Sequence, residues 1–136
     1  MNLKSPQHFL DGNQPQHVQF SDIGTIYFYQ NCLVGEFNEG VTVSYSTGFT
    51  LLLNCLKHIG AKSFYIISNR RNSYSVQPND YKYLEKVPNL KGIAIVTIDP
   101  KGMNNAMLES KFFKKEFAVF NNLDDAKNWG DHLIHS

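Results

Sequence analysis

Residues 93–98, Ile-Ala-Ile-Val-Thr-Ile, carry no charge and stand between Gly92 and the pair Asp99-Pro100. A strand with one wet face alternates apolar and polar residues, and this run does not. The pattern predicts a strand covered on both faces, which in turn demands layers above and below it. Residues 64–67, Phe-Tyr-Ile-Ile, repeat the pattern on a smaller scale. Two such strands with helical patterns between them predict an α/β domain with a largely parallel sheet.

The rest of the chain fills in around those strands. Residues 25–30 and 32–37 are rich in β-formers, and Gln30-Asn31 between them predicts a tight hairpin turn. Tyr45, Phe49, Leu52, Leu53, Leu56 and Ile59 recur at spacings of three and four, the stripe of an amphipathic helix, with Ser44 as its cap and Gly60 as its stop. After the strand at 64–67 comes a polar switchback. Pro78 then opens a short helix, with Asp80 in its first turn, that ends before Pro88. Asp99 and Pro100 cap and open the next helix, with Met103, Ala106 and Met107 as its inner face and Lys111, Lys114 and Lys115 gathered near its end. A strand over 117–120 follows. Asn122 caps the last helix, whose buried stripe is Ala126, Trp129, Gly130 and Leu133. The expected order is ββαβαβαβα, an N-terminal β-hairpin leading into a mixed, mostly parallel sheet with covering helices. Residues 1–22 are polar and aperiodic and read as a loosely ordered extension; residues 23–136 read as one domain.

That order, together with the closing segment Phe117-Ala118-Val119-Phe120-Asn121-Asn122-Leu123-Asp124-Asp125-Ala126-Lys127-Asn128-Trp129, resembles the SpoIIAA-like branch of the STAS domains. The resemblance covers about 24–133, and the closer likeness is to small stand-alone bacterial members. It implies a non-enzymatic module that docks a protein partner or holds a small ligand. Partner-switching members carry a phosphorylatable serine after an Asp at the start of the helix that follows the third strand. The comparable stretch here has neither an Asp-Ser pair nor an adjacent Gly.

The carboxyl end of a strand in an open α/β sheet is where ligands usually meet the chain. This places the candidate site on the switchback Ser68, Asn69, Arg70, Arg71, Asn72, Ser73 and Tyr74. Arginine offers a rigid fork for carboxylate or phosphate, Asn and Ser add directional hydrogen bonds, and the helix opening at Pro78 presents N–H groups nearby. The expected role is docking of a protein partner or a small acidic ligand. The alternative is a small enzyme acting on an acidic or phosphorylated substrate in the same crevice, for which the local bases are Asp80 and Tyr74. Tyrosines 27, 29, 65, 74, 81 and 83 are candidates for a flat docking face.

Other chemistry is weakly encoded. Cys55/His58 and His132/His135 have i, i+3 spacing, but a structural zinc site needs four ligands, so no metal is expected. Cys32 and the serines lie in no nucleophile motif, and the scattered glycines form no phosphate loop, so no cofactor is expected. Glu36 and Glu39 read as a solvated strand end. A formal net charge of +1 gives no general reason to bind nucleic acid or an anionic membrane, though a local patch stays open. No run is long enough to span a bilayer, the N-terminus lacks a secretory core, and two cysteines make no disulfide framework. A cytoplasmic protein with reduced thiols is expected, and exposed strand edges leave a homodimer possible.

Overall fold

The chain enters the fold as an antiparallel meander of β1 (His17–Ser21), β2 (Gly24–Phe28) and β3 (Cys32–Phe37). A computed structural model describes residues 14–72 and 74–135, except for the side chains at 49, 50 and 53–55. After β3 come a short strand β4 (Thr42–Val43), a π-helical turn (Tyr45–Phe49) and α1 (Thr50–Ile59). The chain continues through β5 (Phe64–Asn69), a second short strand β6 (Ser75–Val76), a 3-10 turn (Pro78–Asp80), α2 (Tyr81–Glu85) and β7 (Leu90–Val96). It closes with α3 (Pro100–Glu109), a 3-10 turn (Ser110–Phe112), β8 (Glu116–Phe120) and α4 (Leu123–His135).

One sheet runs in the order β1-β2-β3-β5-β7-β8, with β3, β5, β7 and β8 mutually parallel; β4 and β6 pair parallel as a separate ribbon. The fold class read from the sequence holds, including the parallel core and the hairpin. The hairpin closes through Tyr29 N–H to the Cys32 carbonyl at 2.8 Å. Both faces of the sheet are covered. Ile26, Leu33, Phe64, Ile93 and Ile95 pack with Leu52 and Ile59 of α1, Tyr81 and Leu84 of α2, and Ala106 of α3. On the opposite face Val34, Tyr65, Ile67, Ala94 and Val96 pack with Ala126 and Trp129 of α4.

The caps follow the residues. The Asn122 side chain accepts the Asp125 N–H at 2.8 Å, and the Asp99 carboxylate accepts the Lys101 N–H at 3.2 Å. Gly60 ends α1 at φ +68°, a left-handed conformation that glycine adopts without Cβ strain. Gly130 lets α4 sit directly on the sheet: a Cβ there would lie 2.2 Å from the Tyr65 ring.

Four expectations are corrected. Residues 17–21 of the supposed loose extension form β1; it is an edge strand and nowhere fully buried, so it lacks the apolar rhythm that would announce it. Residues 1–13 lie outside the description. The helix expected from Ser44 begins as a π turn, leaving Tyr45 exposed, and the side chain of Leu53 lies outside the description. Met107 is not on the inner face of α3. Ala106 and Glu109 are, and Met107 lies about 100° further round the helix. Finally, the strand predicted over 93–98 stops at Val96, and Ile98 projects into solvent.

Candidate functional site

The carboxyl ends of β5, β7 and β8 open onto a common rim. Strand β5 carries the chain two residues beyond its apolar run, so Ser68 and Asn69 belong to the strand and not to a loop. Alternation then sends Ser68 towards the helices α1 to α3 and Asn69 towards the opposite face.

Arg70 turns inward. It is 8% exposed and forms a two-pronged ion pair with Glu109 of α3, Nη1 to Oε2 at 2.8 Å and Nη2 to Oε1 at 2.6 Å. The Tyr81 hydroxyl donates to the same Oε1 at 2.6 Å, and Arg70 Nε donates to Ser68 Oγ at 3.2 Å. Ser68 and Tyr74 share a hydrogen bond between their hydroxyls, and the guanidinium lies 5.2 Å from the centre of the Tyr74 ring. Burial alone would lower the Arg70 pKa, but the Glu109 carboxylate more than offsets it and holds the guanidinium charged. Burial raises the Tyr81 phenol well above its ordinary range and the Glu109 charge adds to this; burial raises Tyr74 too, with Arg70 pulling the other way. This network closes one side of an apolar cavity of about 60 Å³ lined by Leu33, Val43, Leu52, Ile66, Tyr74 and Leu84, among others. Ser68, Arg70 and Tyr74 are therefore tied to one another and to Glu109, while Arg70 and Tyr74 also border the first rim cleft described below.

The remaining predicted residues separate. Asn69 is 5% exposed and donates to Glu36 Oε2 at 2.7 Å. Asn72 is exposed and donates to the Phe37 carbonyl at 3.2 Å. Arg71 is exposed on the rim. Ser73 lies outside the described residues. The helix N-terminus expected at Pro78 is a 3-10 turn leading into the short α2, and Asp80 there accepts the Tyr45 N–H at 2.9 Å, which occupies that corner with a carboxylate. The tyrosines do not share a face: Tyr74 and Tyr81 lie in one core and Tyr29 and Tyr65 in the other.

Sequence reasoning missed Ile98 and Glu109. Ile98 is 82% exposed, and its loop is held on both sides. Thr97, itself buried, donates its N–H to the Phe120 carbonyl at 3.0 Å and accepts the Asp99 N–H at 3.4 Å, while Asp99 caps α3. Two open clefts of mixed lining, about 360 Å³ and 530 Å³, flank Ile98, and Arg70, Arg71, Thr97 and Ile98 line both. Asn72, Asp99, Lys101 and Asn105 contribute to the first; Asn69, Asn121, Asn122 and Asp124 contribute to the second. The signal for Ile98 was Asp99-Pro100, since a capping residue and an N1 proline leave a single connecting residue between them and buried Thr97. For Glu109 it was the spacing Gly102, Ala106, Glu109, which puts a carboxylate on the inner stripe.

Cys32 and Tyr65 lie at the other end of the sheet. Burial raises the Cys32 thiol and holds it protonated, so it is an inert core group. The Tyr65 hydroxyl donates to Asp131 Oδ1 at 2.9 Å. No group of three or more His, Cys, Asp and Glu residues suited to a metal occurs among the described residues, and no helix there is long and apolar enough to cross a membrane.

No family model and no curated protein matches the sequence. Among solved structures, a protein of the DUF3478 family with a SpoIIAA-like fold, from Shewanella loihica PV-4, aligns with a TM-score of 0.53 and 15% identity, covering 82% of this chain and 98% of that one. The chain has a SpoIIAA-like α/β fold, as the resemblance implied; at that identity the likeness is one of fold.

Proposed function

We propose that the chain is a non-enzymatic binding module that docks a protein partner on the rim formed by Arg71, Asn72, Ile98 and Asn121. The observation that carries this reading is the exposure of Ile98, 82%, on a hydrogen-bonded and capped connection between two open clefts. With the backbone around it already ordered, an aliphatic side chain held out in this way gains more from being covered than its own rotamers lose. The amides around it both donate and accept, which suits the backbone of a partner segment. A small-anion site has less support, because Arg70 is engaged with Glu109 inside the protein. The same pairing supports docking over turnover: the carboxylate beside the arginine is held by Arg70 and Tyr81 and is not poised as a base.

The test replaces Ile98 with a photo-crosslinking phenylalanine in cells that make the protein, with the same replacement at exposed Phe20 as control. The reading expects a discrete adduct from position 98 that weakens when Arg71→Glu is added. No adduct, or the same adduct from position 20, would overturn it.

A further inference from the structure

We infer that the free edge of β1 pairs with the same edge of a second copy, joining the two sheets about a twofold axis at Gln19. The backbone of β1 is set for this. Tyr29 bonds to Cys32 of β3, so alternation along β2 turns Phe28, Ile26 and Gly24 towards β1, opposite His17, Gln19 and Ser21. Val18 and Phe20 therefore direct their N–H and C=O groups away from β2, on the side where the sheet ends. The Gln19 side-chain amide donates to that outward Phe20 carbonyl at 3.3 Å.

Sequence and charge decide the occupant. Strand β1 contains no Lys, Arg, Asp, Glu or Pro, the residues that commonly guard an edge, whereas the opposite edge strand, β8, opens with exposed Glu116. A register centred on Gln19 sets Val18 of each copy against Phe20 of the other, a β-branched against an aromatic side chain on one face. Phe20 is 65% exposed, and this pairing covers it. Gln19 meets Gln19, whose amides both donate and accept, and Gln16 falls opposite Asp22, so no like charges are opposed. Because the paired strands run antiparallel, the two rims point to opposite ends, and the inference does not rest on rim docking. A five-residue strand buries less than the about 1,200 Å² of a stable interface, which fits a dimer that forms at high concentration and dissociates on dilution.

Light scattering of the full chain, chromatographed at loadings from about 10 to about 500 µM, should show the mass rising from 15.5 kDa towards twice that value. Val18→Pro removes an outward donor while keeping the bonds to β2, and Phe20→Lys adds a guarding charge. Each should abolish the rise, with thermal unfolding of the dilute protein close to the parent's. Under mild oxidation Gln19→Cys should give a cross-linked dimer, since residues opposed there lie about 4.5 Å apart, whereas Ser21→Cys, about 14 Å from its mate, and the parent should not. Photo-crosslinking from position 20 should capture this chain alone, which keeps it apart from the adduct at position 98. A monomer mass at every loading, variants that associate like the parent, or equal cross-linking from positions 19 and 21 would overturn the pairing. So would a dimer dissociated by Leu108→Asp and not by Phe20→Lys, since the contact would then lie on α3.

Discussion

Arg70 illustrates how far residue type alone can mislead. Two adjacent arginines in a polar switchback read as one anion site, yet the end of β5 sends the first under the sheet to Glu109 and leaves the second on the rim. The partner that decides this is thirty-nine residues away in sequence, and nothing local announces it. Removing one member strands a buried charge. Arg70→Met and Glu109→Gln should therefore each lower stability, the first by about 3–5 kcal/mol in urea unfolding, while Arg70→Met with Glu109→Leu recovers much of the loss. Ile98 is the opposite case. Ile98→Asp should change stability by less than about 0.5 kcal/mol, because the side chain packs against little, yet weaken non-covalent retention of the partner identified by cross-linking at least tenfold. Melting curves set beside pull-downs separate the two behaviours.

Elements were more legible than single residues where capping and packing agreed. In α4 the Asn122 cap and the Ala126, Trp129, Gly130 stripe stand where the sequence places them, because local propensity and tertiary burial favour the same turn of helix. Asn122→Ala should cost about 1 kcal/mol. Gly130→Val should cost more, about 1–3 kcal/mol by overpacking, since the added Cβ meets a rigid aromatic ring. Differential scanning calorimetry of the two variants gives that order. Strand β1 was illegible because an edge strand needs no apolar face: its His17 ring meets His58 at 4.3 Å and Phe28 at 5.0 Å, and its backbone pairs with β2 along its length. The ribbon β4–β6 escaped notice for a related reason, since two residues per strand are too few to carry a period.

At the scale of the whole molecule, both sheet faces hide groups that ionise only at high pH. Burial raises the phenols of Tyr65, Tyr74 and Tyr81 above their ordinary value of 10.0 and the Cys32 thiol above 9.0. Their folded pKa values exceed the unfolded ones, so the unfolded chain loses protons first as pH rises. Their contribution to stability is full below about pH 9 and is lost progressively above it. Thermal midpoints should fall from about pH 9 upward, with the tyrosinate absorbance of the buried tyrosines appearing together with unfolding; full tyrosinate absorbance from all seven tyrosines while the chain is still folded would contradict this burial.

The same architecture gives the rim its rigidity, because three parallel strands end together and short, capped connections leave them. Hydrogen–deuterium exchange of the protein, free and bound to the partner captured at position 98, tests that rim most directly. The expected result is slowed exchange at 70–72, 97–99 and 121–124 with the remainder unchanged. Slowing confined to other parts of the molecule, with those three connections exchanging as in the free protein, would contradict it.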